Sequence, residues 1–134
     1  MIFIDTGAFV ARYIERDQYH QQAIKMWEKI YTLREQCYTS NFVLDETLTL
    51  LGRWAGYVFA AQKAHIIYSS PIFIILRPDQ DIELKAIELF GKYADQKISF
   101  TDCVSFVLMK EKKIKRVFSF DRHFSIAGFN SSSS

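Results

Sequence analysis

The chain has 134 residues, 49% of them hydrophobic, 16% aromatic and 24% charged. That suits one well-filled globular domain and excludes an intrinsically disordered chain. A formal net charge of +2 is too small for a protein that grips nucleic acid by bulk electrostatics, so any such contact has to be local.

Residues 2–4 form a short apolar run ended by Asp5-Thr6-Gly7, the pattern of a buried strand turning into a helix. The opening residues lack the basic and apolar regions of a secretion signal, and a cytoplasmic location is expected. Between residues 18 and 33, Ala23, Ile24, Trp27, Ile30 and Tyr31 recur at helical spacing, predicting an amphipathic helix against a sheet face. Residues 37–39 read as a second strand. Thr39 or Ser40 then caps a helix through Phe42, Val43, Leu48 and Leu51, weakened at its end by Gly52 and Gly56. Cys37 and Cys103 stand far apart without CxxC spacing, which supports neither a disulfide framework nor a thiolate metal site and suits a reducing compartment.

A further helix is predicted over residues 57–68, and Ser69-Ser70-Pro71 breaks the chain before a strand at 73–76. Asp79 or Asp81 opens a helix with Ile82, Ala86, Leu89, Phe90 and Tyr93 on one face. Residues 97–99 read as a short strand, and Thr101 begins a helix ending near Lys113. The apolar run 117–120 predicts another strand. One domain is expected over residues 1–130, with a disordered serine tail at 131–134. No stretch approaches the roughly 20 apolar residues that cross a bilayer.

Strands alternating with helices predict an α/β fold, a parallel sheet covered on both faces, with its site at the carboxyl ends of the strands. Asp5, Asp102 and Asp121 each follow a predicted strand or lie one turn past it, and Glu46 lies one to two helical turns past the second strand. Each has an ordinary structural account when taken alone. Asp5 fits a helix N-cap, Ser99-x-x-Asp102 fits a capping box, and Asp121 fits an Asx turn. Asp45 and Glu46 point about 100° apart, so one of them is left to solvent. Capping, however, does not require four carboxylates to converge on one edge, and their mutual repulsion calls for a divalent cation. Oxygen ligands select Mg²⁺ or Mn²⁺ over Zn²⁺, and His20, His65 and His123 show no paired zinc spacing.

Of the histidines, only His123 falls near the expected edge, as a candidate substrate contact. The cations of the segment 110–116 complement a helix dipole. The functional alternative is that they touch phosphates, joined by Arg53 and Arg122. Tyr13, Trp54 and Tyr57 fit either base stacking or core packing.

Ile4-Asp5-Thr6-Gly7-Ala8-Phe9 resembles the first acidic motif of PIN-domain ribonucleases, and Asp17-Gln18-Tyr19-His20 resembles the Asp-x-x-His that follows it in one subgroup. The stretch 39–46 followed by Thr49-Leu50-Leu51 resembles the second motif. Residues 99–106 are similar to the third, and Phe120-Asp121-Arg122-His123-Phe124 with Gly128-Phe129 to the last. The resemblance spans nearly the whole chain. It implies a three-layer PIN-like domain with about five parallel strands and helices on both faces. It further implies that Asp5, Glu46, Asp102 and Asp121 bind Mg²⁺ or Mn²⁺, with Thr6 and Thr101 as supporting hydroxyls. Gly7 stands where many members have Ser.

The activity implied is hydrolysis of RNA phosphodiester bonds by a metal-activated water, leaving 5′-phosphate and 3′-hydroxyl ends. Compact bacterial members are VapC-type toxins that act as homodimers restrained by an antitoxin, and the same partners are expected here. The alternatives are a PIN nuclease of RNA maturation, a Mg²⁺-binding phosphoacceptor module, or a binding module without catalysis. The phosphoacceptor reading suffers because Ser119-Phe120-Asp121 offers no Lys at the late strand end.

Overall fold

A computed structural model describes residues 1–131. Five strands, β1 (Ile2–Ile4), β2 (Cys37–Ser40), β3 (Phe73–Leu76), β4 (Arg116–Phe118) and β5 (Asn130–Ser131), form one sheet in the order β3-β2-β1-β4-β5. Every pairing is parallel, with Ile2 opposite Cys37, Phe3 opposite Tyr38 and Val117, and Ile4 opposite Phe118.

The connections are helical. Helices α1 (Thr6–Tyr13) and α2 (His20–Thr32) link β1 to β2, and α3 (Asn41–Ala55) and α4 (Tyr57–Ser69) link β2 to β3. Helices α5 (Gln80–Lys92) and α6 (Phe100–Glu111) return the chain to β4 on the other side of β1, and α7 (His123–Ile126) leads to β5. Right-handed crossovers that first step outward from β1 and then reverse place the two groups of helices on opposite faces of the sheet. All three residues of β1 are buried. Since successive side chains point to opposite faces, β1 is covered on both.

Trp27, on α2, centres the packing between this helix, α1 and the sheet: it is 2% exposed, and its ring meets Phe9, Phe73 and Phe118 at tilted and edge-on angles. Its indole N–H donates to the Ala8 carbonyl at 3.1 Å, so the polar atom is satisfied inside the core. The α3–α4 corner turns at Gly56, whose φ of 96° suits a residue without Cβ. Gly52 leaves room for the Tyr57 ring, which a Cβ would meet at 2.5 Å.

Two expectations change. Residues 97–99 form no strand. They run from a 3₁₀ turn (Ala94–Gln96) through Lys97, at a left-handed φ of 55°, to the Ser99 cap of α6. Both neighbours of β1 are already supplied by β2 and β4, so this segment has no vacant ladder to join. The fifth strand is β5, in which Ser131 pairs with Val117, and the Ser131 hydroxyl donates to the Ser119 carbonyl at 3.0 Å. Ser131 is therefore part of the sheet and not of a tail. The other residues of the expected tail, 132–134, lie outside the described residues. Trp27→Ala is expected to cost about 3 to 5 kcal/mol of stability, read as a lower urea midpoint with an unchanged slope.

Candidate active site

The strand order reverses between β1 and β4, where successive connections leave toward opposite faces, and open α/β sheets carry their crevice at such a point. Asp5 directly follows β1, and its amide donates to the Phe118 carbonyl at the end of β4, at 3.1 Å. Although Asp5 is the N-cap residue of α1, its carboxylate makes no capping hydrogen bond to the helix. Instead Oδ2 accepts the Ser119 hydroxyl at 2.8 Å. Ser119 also accepts the Asp121 amide at 3.0 Å, so one buried hydroxyl ties the ends of both central strands together.

Asp102 occupies the third position of α6, held by the Ser99 hydroxyl, which accepts its amide at 3.1 Å. Half of the expected capping box is therefore present, and the Asp102 carboxylate turns to the crevice, where its Oδ2 lies 3.1 Å from the His123 ring. Asp121 divides its oxygens: Oδ1 accepts the His123 amide at 2.9 Å in an Asx turn, and Oδ2 lies 3.1 Å from the His123 ring. Helices α3 and α6 are in contact, with Phe42 and Phe100 rings 6.1 Å apart, and Glu46 reaches the same space from α3. Asp45 points to solvent, as helical geometry requires.

Asp5, Glu46, Asp102 and Asp121 thus line one cleft of about 720 Å³. Asp5 and Asp102 are 5% and 6% exposed. Burial, and then the neighbouring Asp102 and Asp121 charges, push the Asp5 carboxyl from 3.8 up to about 8, against the Ser119 hydroxyl and the Thr6 backbone, which favour the charged form. Burial and then the charges of Asp121 and Glu46 raise Asp102 to about 7. Carboxylates this crowded suit a divalent cation. Thr6 adds an independent sign, since it lines the cleft and its buried Oγ1 has no hydrogen-bond partner among the described residues. Hard oxygen donors of this kind fit Mg²⁺ or Mn²⁺. The thiols Cys37 and Cys103 are buried and pushed up to about 12 and about 11, which removes thiolate chemistry.

The other expected site residues separate. Arg122 and His123 line the cleft; Thr101 and Arg53 do not. Thr101 is half-buried in the first turn of α6, and its carbonyl accepts the Ser105 hydroxyl. Arg53 is exposed near the end of α3. A Cβ on Gly7 would meet Phe120 at an ordinary 4.0 Å, so the position tolerates a small side chain. Ser119 was not foreseen; its signal is a single hydroxyl inside the apolar run 117–120. Lys97 also lines the cleft, although its sequence context predicts only a strand. The Asp17-x-x-His20 motif supports the site through backbone contacts. Asp17 accepts the Tyr19 amide at 2.8 Å, the His20 ring donates to the Ala11 carbonyl at 2.7 Å, and Tyr19 stacks on Phe120 at 4.5 Å.

This parallel sheet, with its acids at the switch point, defines a PIN-type nuclease scaffold, and residues 2–130 match the PIN domain family: the chain belongs to it. It is 36% identical over 129 residues to the 23S rRNA-specific endonuclease VapC20 of Mycobacterium tuberculosis, covering 96% of this chain and 95% of that protein. The crystal structure of VapC20, described as a Sarcin-Ricin loop cleaving toxin, matches with a TM-score of 0.85 and 32% identity over 96% of each chain. A VapC ribonuclease of Archaeoglobus fulgidus is 30% identical over 132 residues, covering 92% of this chain and 78% of that protein. A toxin-antitoxin complex from Klebsiella pneumoniae shares the fold, with a TM-score of 0.62 and 16% identity over 91% of this chain and 88% of the other.

Because the folded carboxyls bind protons more tightly than unfolded ones, their burial costs nothing below about pH 4. Stability falls as pH rises through the folded values of about 7 and about 8. Metal-free protein is therefore expected to melt at a lower temperature at pH 8 than at pH 5. Asp5→Asn should recover roughly 4 to 8 °C of that loss in chelator at pH 8, measured by thermal denaturation.

Proposed function

We propose that this protein is a divalent-metal-dependent endoribonuclease of the VapC type, the toxin of a toxin-antitoxin pair. The observation that carries the reading is the burial of Asp5 and Asp102 beside one another, with Asp121 and Glu46 on the same cleft. The names of its relatives support RNA as substrate, and the VapC20 likeness supports a structured loop of 23S ribosomal RNA as the first target to try.

Asp5, Asp102 and Asp121 would hold the ion, Mg²⁺ or Mn²⁺, which when bound supplies Lewis-acid activation of water and neutralisation of charge at the phosphate. The Ser119 hydroxyl fixes one Asp5 oxygen and orients the other. Glu46, half-buried and lining the cleft, orients the attacking water for in-line displacement. Lys97 and Arg122, the cations that line the cleft, meet the phosphates on either side. The products carry 5′-phosphate and 3′-hydroxyl ends.

The partners are an antitoxin that blocks the acidic cleft and a second copy of the chain, acting in the cytoplasm. Tyr57, Val58, Ile66 and Tyr68 leave exposed apolar side chains around α4 of the kind a partner covers. Among the described residues no helix is long and apolar enough to cross a membrane.

Purified protein is expected to cut 23S ribosomal RNA with Mn²⁺ or Mg²⁺ and to be silent in chelator, with Asp5→Asn slowing cleavage by roughly 10² to 10³-fold. Cleavage that persists in chelator would end the metal-dependent reading. Induction in growing cells tests the toxin role, since unimpeded growth alongside RNA cleavage by the purified protein would leave a nuclease that is not a toxin. Ser119→Ala should weaken metal binding by about 10 to 100-fold, measured by calorimetry, because Asp5 then loses its orienting donor.

A further inference from the structure

His123 sits inside the carboxylate cluster and not at its rim. Its Nδ1 lies 3.1 Å from Asp102 Oδ2 and 3.1 Å from Asp121 Oδ2, and the donor atoms of the three residues fall within 4.8 Å of one another. The residue is held there by its own backbone, since its amide donates to Asp121 Oδ1 at 2.9 Å. The ring is 21% exposed, enclosed enough to limit its rotation.

A proton on Nδ1 points at Asp102 Oδ2 in an ordinary hydrogen bond and cannot serve Asp121 Oδ2, at the same 3.1 Å, equally well. The placement of Nδ1 against both oxygens also matches ligand geometry. Around an octahedral ion with bonds of about 2.1 Å, neighbouring donor atoms are separated by about 3 Å. Nδ1 therefore stands where a ligand adjacent to both carboxylate oxygens would stand, the bound ion taking the place of the Nδ1 proton and leaving the ring neutral with its proton on Nε2.

We propose that His123 Nδ1 is a direct ligand of the divalent ion, completing with Asp102 and Asp121 a mixed nitrogen–oxygen face that favours Mn²⁺ over Mg²⁺. The inference rests on the metal-dependent reading of the cleft and revises the all-oxygen set expected from the sequence. Mg²⁺ binds oxygen almost exclusively and keeps its waters, whereas imidazole is an ordinary donor to later divalent ions. One nitrogen among carboxylates should thus discriminate between two ions that the acids alone treat alike.

The test is binding, independent of turnover. Mn²⁺ bound to protein labelled with ¹⁵N-histidine is examined by pulsed electron paramagnetic resonance for nitrogen coupling. Mn²⁺ and Mg²⁺ affinities are measured for wild type, His123→Ala, His123→Gln and, as a control outside the cleft, His65→Gln. The expected result is nitrogen coupling in wild type and in His65→Gln that disappears in both His123 variants, with the Mn²⁺ to Mg²⁺ affinity ratio falling by about tenfold.

Mn²⁺ bound without nitrogen coupling would overturn the assignment while leaving the metal site itself intact. An equal loss of affinity for both ions would also overturn it, since His123 would then only position the carboxylates. Failure of wild type to bind either ion would instead refute the metal-dependent reading. If the His123 variants do not fold, judged by circular dichroism, the coupling in wild type decides the question by itself.

Discussion

Burial of the Asp5 and Asp102 carboxyls in one acidic cleft is the constraint on which the rest of the site depends. Two carboxyls more than nine-tenths buried, with a third and a fourth close by, oppose the folded state whenever they are charged. A chain selected only for stability would replace them with apolar side chains. That the structure instead gives Asp5 a hydroxyl donor and holds Asp102 by its backbone shows where folding free energy has been diverted into a site.

The scaffold that bears this strain is rigid for identifiable reasons. β1 is enclosed on both faces and paired on both edges, so the peptide carrying Asp5 has little freedom. Ser119 lies where β4 ends, 1% exposed, and its one hydroxyl donates to Asp5 while accepting from the Asp121 amide. The stacked Tyr19 and Phe120 rings brace the loop before Asp121 against the turn before α2. In effect each acid is anchored by main chain, and the side chains are left to converge.

The cations divide between structure and cleft in a way that local charge could not show. Lys110 and Lys113 lie at the end of α6 opposite to Asp102 and border a separate groove with Lys85 and Lys92, while Glu111 pairs with Lys85 at 2.6 Å and Arg116 with Glu35. The segment 110–116 therefore serves the helix terminus and the strand that follows it, as its dipole-complementing position suggested. Lys97 reaches the acidic cleft because a left-handed turn carries it there.

Much of the domain is written in local pattern. Apolar runs mark β1, β2, β3 and β4, helical periodicity marks α2 and α5, and Ser40, Asp79 and Ser99 cap the helices they precede, because these depend on neighbours within a few residues. The meeting of four acids in one cleft was also legible, through their spacing after strands and their likeness to a family pattern. Strand order was not: parallel pairing joins residues such as Phe3 and Val117 that share no local signal. Nor was β5, two residues long and polar, which exists only because β4 presents an open edge. His123 and Ser119 gained their places among the carboxylates in the same way. A lone imidazole or hydroxyl carries no periodicity, and only the folded chain decides which atoms it faces.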